Sequence, residues 1–238
     1  MANPYFQFKQ FTVYHDRCAM KVTTDACLFG AWIASQLQET NLKKILDIGT
    51  GTGLLSLMVA QKNEVQTDAI EIDQEASRQA MENFEASPWS QKIRIIHADA
   101  REFNNVERYD CIISNPPFYE KELSSAHQQK NLAHHSEALT MLETLQAIRR
   151  NLKPGGSFFL LLPYKRWKAI KKLMEDEQAF LYKIIEVRQT TDHPFFRVMI
   201  MGGFHPGEFS ASEITIADKP IEYSAAFKNL LKDYYLYL

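Results

Sequence analysis

Three glycines, placed two residues apart directly after a short apolar segment, most constrain how this chain can fold. The segment Ile45–Ile48 has the composition of a buried strand, and Gly49-Thr50-Gly51-Thr52-Gly53 follows it at once. Apolar residues then recur at helical spacing over 54–60. Glycines allow the backbone to turn tightly and to approach a ligand closely, and the N-terminus of the following helix favours an anionic group. The motif therefore predicts a strand, a turn and a helix that border a ligand site.

Strand-like and helical segments alternate along most of the chain. Four more apolar segments have the length and composition of strands, at 67–72, 93–96, 109–114 and 157–162. Helical stripes of apolar residues separate or follow them, within 76–84, 139–152 and 167–174. Two further strands are expected near 180–188 and 196–204. This order predicts an α/β fold with a doubly wound sheet of seven strands.

The residues before this core predict a short extension of strand and helix. Residues 6–14 alternate as in a strand, and Lys21-Val22 can pair with it after a turn. A helix is expected to begin near Thr24, because large apolar residues recur at helical spacing after it. The tail adds a strand-like segment at 213–217 and a helical one near 224–236. We expect one domain with an N-terminal extension, a core, and a C-terminal strand and helix, at 1–40, 41–205 and 206–238.

Composition excludes several classes of protein. Of the 238 residues, 45% are hydrophobic and 24% charged, as in ordinary globular proteins. The formal net charge of −2 excludes a globally basic surface, so a nucleic-acid partner must meet a local patch. The chain has no apolar run of about 18 residues and no signal-peptide pattern, which predicts a cytoplasmic protein without a membrane span. Three cysteines without CxxC spacing indicate free thiols, and we expect a monomer.

The segment Asn115-Pro116-Pro117-Phe118 follows the strand at 109–114 and carries specific chemistry. Two prolines cannot continue a central strand, and the first biases Asn115 away from the helical region. In open α/β sheets, ligands bind at the carboxyl ends of strands. The Asn115 amide oxygen and the Pro116 carbonyl can accept from a planar NH2 group, which frees the lone pair of its nitrogen, while Phe118 stacks on the ring. The alternative is a plain strand-ending turn with a core phenylalanine.

A carboxylate at the end of the second strand narrows the class of ligand. The distance of Glu71 from the glycine turn suits a side chain that accepts hydrogen bonds from two ribose hydroxyls. A dinucleotide-binding fingerprint, G-x-G-x-x-G, would need glycine at position 54, where this chain has leucine. A nicotinamide-dependent dehydrogenase is therefore disfavoured, and a different nucleoside-containing cofactor is expected.

The pattern Asp47-x-Gly49-x-Gly51-x-Gly53 resembles the S-adenosylmethionine (SAM) loop of Rossmann-like methyltransferases. In that family the acidic residue that ends the second strand holds the ribose, and an aspartate after the third strand, here Asp99, holds the adenine amine. The Asn-Pro-Pro-aromatic motif ends the fourth strand. The resemblance implies a seven-stranded methyltransferase sheet, catalytic Asn115, Pro116 and Phe118, and cofactor-binding Lys21, Thr24, Asp47, Gly49, Gly51, Gly53, Glu71, Ile72, Asp99, Ala100 and Asn115.

Segments along most of the chain resemble a narrower family. Phe8–Phe11, Asp16–Val22 and Gly30–Trp32 look like the opening of bacterial tRNA1(Val) (adenine(37)-N6)-methyltransferases, and Asn131–His135 and Phe227–Leu236 also look similar. The resemblance implies a SAM-dependent enzyme with a tRNA partner. It implies methylation at N6 of the adenosine just 3′ of the anticodon of a valine tRNA.

Local basic patches are the candidate RNA contacts of a chain with net charge −2. The densest is Lys165-Arg166-Trp167-Lys168, whose charges can meet phosphates and whose ring can stack on a base. A solvated helix face is the alternative. Lys9 and Arg17 form a second candidate patch, and Lys130 lies in a polar loop expected at 119–135. The histidines of that loop do not have the spacing of a metal site, so no metal is predicted.

Two other functions stay open from the residues alone. An Asn-Pro-Pro-aromatic motif also serves the methylation of DNA adenine N6, of guanine N2 in rRNA, and of glutamine N5 in proteins. The chain could instead be a non-catalytic subunit that binds SAM or RNA. The presence of both Asn115 and Phe118 argues against that second alternative, because a subunit without activity has no reason to keep them.

Overall fold

The computed structural model describes residues 3–38, 40–116, 139–219 and 222–238. The strands in these residues are β1 (Tyr5–Gln7), β2 (Thr12–Tyr14), β3 (Lys44–Ile48), β4 (Gln66–Glu71), β5 (Ile93–His97), β6 (Tyr109–Ser114), β7 (Leu152–Pro163), β8 (Phe180–Arg188), β9 (Phe195–Gly203), β10 (Ser210–Thr215), β11 (Ala217–Lys219) and β12 (Glu222–Tyr223). The α-helices are α1 (Thr24–Leu37), α2 (Leu54–Lys62), α3 (Gln74–Glu85), α4 (Met141–Asn151), α5 (Trp167–Asp176) and α6 (Ala225–Leu231). A 3₁₀ turn, Tyr164–Arg166, joins β7 to α5.

Eight of the strands form one sheet, in the order β10-β8-β9-β7-β6-β3-β4-β5. The five strands β7, β6, β3, β4 and β5 are parallel, and β9 is antiparallel to both β7 and β8. The chain proceeds outward from β3 to β5 and then returns to the other side of β3 with β6. The strand order therefore reverses between β3 and β6, which is where ligands bind in open α/β sheets.

The predicted doubly wound α/β sheet is confirmed, and all seven predicted strands lie in it. An eighth strand, β10, extends one edge by parallel pairing with β8. The tail segment expected at 213–217 begins earlier, at Ser210, because its first four residues are exposed and lack the apolar alternation that marks a half-buried strand. The last helix is shorter than expected and ends at Leu231.

Helices cover both faces of the sheet. Alternate strand residues point to opposite faces, so Ile113 and Phe159 pack with α1, α2, α3 and α6, whereas Ile112 and Phe158 pack with α4 and α5. All four of these side chains are fully buried. In the part of the chain that the structure describes, no helix is both long and apolar enough to cross a membrane.

The single strand expected over residues 6–14 is wrong, because the chain folds back in the middle of this segment. β1 and β2 form an antiparallel hairpin in which Phe6 lies opposite Val13. Phe8 bridges instead to Tyr235 near the other end of the chain, and its ring stacks on Phe11 at 4.4 Å. The expected pairing of Lys21-Val22 with this strand is also wrong, since these residues form neither strand nor helix. The partner that sets this geometry is distant in sequence, so local alternation cannot reveal it.

Candidate active site

A cavity of about 330 Å³ lies at the carboxyl ends of β3, β4, β5 and β6. The turns that follow these strands supply much of its wall, with Gly49–Thr52, Ile70–Asp73, Ala98–Ala100 and Asn115. Another part of the wall is the segment Arg17–Val22, between β2 and α1. Small-molecule sites commonly have volumes of about 300–1,000 Å³, so the cavity can hold a nucleoside-sized ligand.

The glycine-rich turn owes its shape to three left-handed residues. Gly49, Gly51 and Gly53 have φ angles of 66°, 55° and 81°, a region that other residues avoid. A Cβ atom at Gly53 would lie 2.3 Å from the ring of Phe84 on α3, so the turn and this helix pack without space for a side chain. A Cβ at Gly49 or Gly51 would meet no atom within 4 Å. The glycines thus serve two purposes, close packing at the back of the turn and open space at its front.

Asp47 holds this turn from below. Its Oδ2 accepts hydrogen bonds from the hydroxyls of Thr50 and Ser56, each at 2.7 Å. The side chain is completely buried, and Oδ1 has no hydrogen-bond partner. Burial raises the pKa of Asp47 to about 6, although the two hydroxyls favour the ionised form and lower it. Asp47 therefore ties the start of the turn to the first turn of α2.

Glu71 ends β4 and faces the cavity with both carboxylate oxygens already in use. Its Oε2 accepts from the backbone N–H of Gly51 at 2.9 Å, and its Oε1 accepts from that of Asp73 at 3.0 Å. Each carboxylate oxygen has a second lone pair, so both can also accept from a ligand. Ile72, which follows, is 41% exposed and lines the cavity. Acceptors beside an apolar surface suit a ligand with hydroxyl groups and a flat ring.

Asp99 lies in the wall after β5, where a neighbouring cation binds its carboxylate. The Nε of Arg101 donates to both oxygens, at 3.0 and 2.9 Å, and the Arg101 backbone N–H donates to Oδ1 at 2.8 Å. The guanidinium lowers the pKa of Asp99, against the opposing effect of partial burial. The carboxylate is thus fixed in orientation and ionised at neutral pH. Its remaining lone pairs can accept from a ligand amine.

Asn115 stands at the reversal of strand order, directly after β6. The hydroxyl of Ser114 donates to the carbonyl of Ile48 at 2.7 Å, which ties the end of β6 to the end of β3. Asn115 is half-buried and lines the cavity, and Pro116 is buried. No hydrogen bond joins the Asn115 amide to another of the described residues. Its oxygen is therefore held at the cavity wall without a partner from the described chain.

The segment Arg17–Val22, which we call the strap, contains cavity residues that the sequence analysis missed. It assigned roles to Arg17 and Lys21, but Cys18, Met20 and Val22 also line the cavity. Burial, together with the negative charges of nearby carboxylates, raises the pKa of the Cys18 thiol to about 12, so the thiol stays protonated. The signal that could have found these residues is an apolar run, 18–20, outside any helical or strand period.

Three of the predicted cofactor-binding residues lie outside the cavity wall: Thr24, Asp47 and Gly53. Asp47 and Gly53 shape the turn from behind, and Thr24 begins α1, where its side chain hydrogen-bonds to Tyr235. Direct contact from these three therefore differs from the geometry, because a motif fixes the path of the backbone but not the direction of each side chain. The other predicted residues do line the cavity, namely Lys21, Gly49, Gly51, Glu71, Ile72, Asp99, Ala100 and Asn115.

Comparisons with known proteins place this site in a family. The methyltransferase small domain matches residues 30–177. The chain is 38% identical to the tRNA1(Val) (adenine(37)-N6)-methyltransferase of Parabacteroides distasonis over 99% of each chain. The chain belongs to the tRNA1(Val) (adenine(37)-N6)-methyltransferase family. A relative of the same name from Dyadobacter fermentans is 48% identical over 195 residues, which cover 75% of this chain and 80% of the relative.

Solved structures agree with this family at the level of the fold. The crystal structure of a predicted O-methyltransferase from Agrobacterium tumefaciens superposes with a TM-score of 0.68. The match covers 88% of this chain and 96% of that one, at 14% sequence identity. The resemblance to the methyltransferase family that the motifs indicate is thereby confirmed, including its sheet.

The basic segment 165–168 of this methyltransferase-family chain lies on the same edge of the sheet as Asn115. Ser114 of β6 pairs with Leu160 of β7, and β7 continues to Pro163. Three residues of strand span about 10 Å, so β7 extends beyond the level at which β6 ends. The cofactor-sized cavity lies on the β3 side of β6, and the basic segment lies on the β7 side.

The side chains of this segment face solvent together with aromatic rings. Lys165 and Arg166 of the 3₁₀ turn and Lys168 of α5 are exposed. Tyr164 is half-buried, and its ring lies 5.3 Å from that of Phe195 at the start of β9. Exposed cations beside partly exposed rings are the combination that single-stranded nucleic acids bind.

The second predicted patch, by contrast, is used within the protein. The Nζ of Lys9 donates to the carbonyl of Lys232 at 2.6 Å, and Arg17 forms an ion pair with Glu82 on α3. Both interactions lie at the surface, but they compete with any phosphate contact. Two further candidates, Phe118 and Lys130, lie outside the described residues.

The thiols and the predicted absence of a metal concern groups away from the catalytic turn. Cys27 and Cys111 are buried and unpaired, and burial raises the pKa of each to about 12. The described part of the chain contains no group of three or more His, Cys, Asp or Glu that could hold a metal ion. The histidines of the polar segment, His127, His134 and His135, lie outside that part.

Proposed function

We propose that this protein transfers the methyl group of SAM to N6 of adenosine 37 in tRNA1(Val), the reaction in the printed name of its relatives. The observation that carries the proposal is the position of Asn115. It stands on a stiff Asn-Pro turn in the wall of a cavity whose other walls are the glycine turn and Glu71. Similarity over nearly the whole length of both chains supports the specific substrate.

The features of the cavity fit SAM. The open space in front of Gly49 and Gly51 leaves room for a ligand against the backbone. The free lone pairs of Glu71 would accept from the two ribose hydroxyls, and those of Asp99 from the adenine amine. The ammonium of Lys21, which lines the cavity and is exposed, would meet the carboxylate of the methionine part. These roles use the groups in the positions they already hold.

Catalysis by the chain rests on Asn115 and Pro116. When bound, SAM supplies an electrophilic methyl group on a sulfonium. The amide oxygen of Asn115 and the carbonyl of Pro116 would accept the two N6 hydrogens of adenine and draw the nitrogen toward tetrahedral geometry. Phe118 would stack on the base. Holding two reactants in line can lower a barrier by about 7–11 kcal/mol, and N6 becomes acidic once it is attacked, so no strong general base is needed.

The RNA would approach from the β7 side of Asn115. Lys165, Arg166 and Lys168 would contact phosphates there, so that the chain can bind RNA despite its net charge of −2. The target base must leave its stack to reach Asn115, and this is less costly in a single-stranded anticodon loop than in a duplex. Substrate and cofactor would thus meet at β6 from opposite sides.

We propose further that the enzyme acts as a monomer in the cytoplasm. One chain supplies every wall of the cavity described above, which supports a complete site in a single copy. A tRNA substrate supports the cytoplasmic location. Sedimentation of the protein under assay conditions would test the monomer, and activity restricted to a dimer fraction would contradict it.

Replacement of Asn115 tests the proposed catalysis. We expect Asn115→Ala to lower kcat about 10²–10³-fold, or about 2.7–4 kcal/mol, because it removes an interaction that strengthens in the transition state. Asn115→Asp retains an acceptor and should restore part of the rate. Phe118→Ala should instead raise KM for RNA, while Phe118→Tyr stays active. Steady-state and single-turnover kinetics with tRNA transcripts measure these effects.

The control for these variants is Asn104→Ala, at an exposed turn residue away from the cavity, which should leave kcat unchanged. Equal rates for Asn115→Ala and the parent would contradict the proposed mechanism. The substrate is tested separately by mass mapping of methylated nucleosides in RNA and DNA from a strain without this gene. Loss of methylation from rRNA guanine or DNA adenine, with the tRNA unchanged, would refute the proposed substrate.

A further inference from the structure

The strap, Arg17–Val22, is a cavity wall without secondary structure of its own. All six of its residues line the cavity, yet none belongs to a helix or a strand. Segments of this kind open easily unless other parts of the fold hold them. The shape of the cavity therefore depends on the contacts that anchor the strap.

The hydrogen bonds at the start of the strap converge on one buried amide, that of Asn83 on α3. Its Oδ1 accepts from the backbone N–H of Tyr14 at 3.0 Å. Its Nδ2 donates to the carbonyl of Tyr14 at 2.9 Å and to the carbonyl of Thr52 at 2.8 Å. Asn83 is 1% exposed, so water cannot replace these bonds. One side chain thus joins the chain that leads into the strap to the glycine-rich turn.

Neighbouring side chains on the same helix hold the next part of the strap. The backbone N–H of Arg17 donates to the side-chain oxygen of Gln79 at 3.3 Å, and the Arg17 guanidinium pairs with Glu82. Gln79 is one helical turn from Asn83, so both point from α3 toward the same segment. The ion pair is exposed and contributes little, which leaves the buried amide as the main anchor.

We propose that Asn83 is a positioning residue for the cofactor: it fixes the separation between the strap and the glycine-rich turn, and thereby the width of the SAM cavity. It touches neither cofactor nor substrate, since it does not line the cavity. It acts through Tyr14 on one side and Thr52 on the other. This inference rests on the proposed function, because it takes SAM as the occupant of the cavity.

The test is the substitution Asn83→Asp, which keeps the shape of the side chain but replaces its donor by an oxygen. That oxygen would face the carbonyls of Tyr14 and Thr52 without a proton to share. We expect the Kd for SAM, measured by calorimetry, to rise about tenfold or more. At saturating SAM, kcat and the KM for RNA should stay as in the parent, because the Asn115 turn is unchanged.

A matched control is available in Asn151 at the end of α4. This side chain is also fully buried, accepts from the N–H of Asn105 at 3.0 Å, and donates to the carbonyls of Phe103 and Ala147, each at 3.0 Å. Asn151→Asp therefore makes the same chemical change away from the cavity, and SAM affinity should stay at the parent value. An equal loss of SAM affinity in both variants would overturn the proposal, as would parent-like affinity in Asn83→Asp.

Hydrogen exchange of the unmodified protein gives a second test, which does not depend on a variant that folds. SAM should slow exchange at the Tyr14 amide, which donates to Asn83, as well as at the Gly51 amide, which donates to Glu71. Protection at Gly51 without protection at Tyr14 would show that the strap is not coupled to the turn, and would overturn the inference. Absence of SAM binding by the parent would instead refute the proposed function itself.

Discussion

Alanine in place of the third glycine of the turn, Gly53→Ala, should destabilise the fold through one defined clash. The left-handed conformation, with φ of 81°, costs about 1–2 kcal/mol for a residue with a Cβ. The new Cβ would also lie 2.3 Å from one ring atom of Phe84 and 2.7 Å from another. Because Phe84 is only 3% exposed, its ring can move only by disturbing the core, which adds about 1–3 kcal/mol. We expect the free energy of unfolding to fall by about 2–5 kcal/mol.

The matched substitution Gly51→Ala separates packing from ligand binding. Gly51 has a φ of 55°, but its Cβ would meet no atom within 4 Å. Only the backbone term applies, so the free energy of unfolding should fall by about 1–2 kcal/mol. The new methyl group would occupy space in front of the turn, so the Kd for SAM should rise more for Gly51→Ala than for Gly53→Ala.

Urea unfolding and calorimetry with SAM measure the two effects on the same samples. In the double variant Gly53→Ala with Phe84→Leu, the smaller side chain should relieve the clash, so the two stability losses should add to less than their sum. Additive losses, or a loss at Gly53 no larger than at Gly51, would refute the assignment of Gly53 to close packing against α3. Parent-like SAM affinity in Gly51→Ala would refute the placement of the cofactor in front of the turn.

Two further predictions concern pH and salt. Burial raises the pKa of Asp47 from 3.8 to about 6, so the folded chain holds this proton more tightly and loses stability as pH rises through that range. Asp47→Asn should remove this dependence and gain up to about 3 kcal/mol relative to the parent between about pH 4 and 7, measured by urea unfolding; parallel curves would contradict it. Changing Lys165, Arg166 and Lys168 together to Gln should flatten the salt dependence of tRNA affinity by about 0.7 per lost phosphate contact, whereas Lys43→Gln, on the opposite edge of the sheet, should not.

The sheet and the glycine turn could be predicted from sequence because their signals are local. A buried strand followed by glycines and a helix is a continuous pattern, and β6 spans the residues that its apolar run indicates, Tyr109–Ser114. The direction of a side chain from such a motif is less local. Asp47 belongs to the motif, yet it bonds to Thr50 and Ser56 behind the turn rather than lining the cavity.

The strap and the N-terminal hairpin could not be predicted because contacts distant in sequence set their positions. The hairpin turn at Phe8 pairs with Tyr235, and the strap rests on α3 through Asn83. Neither segment has a period that specifies these partners. The pairing of Asp99 with Arg101 was also missed, although the two residues are close in sequence, because charge pairs at this spacing form only when the turn between them brings them together.

The contact between the two ends of the chain has a consequence for the timing of synthesis. Lys9 and Lys232, which hydrogen-bond to each other, are 223 positions apart, and Phe8 pairs with Tyr235. At about 5–20 residues per second, a ribosome needs roughly 10–45 s between these two segments. An isolated two-stranded hairpin is marginally stable, so β1 and β2 wait through nearly the whole of translation for the partner that holds them. The strap follows directly from β2, and the cofactor cavity is therefore completed among the last steps of folding, after the C-terminal segment has left the ribosome.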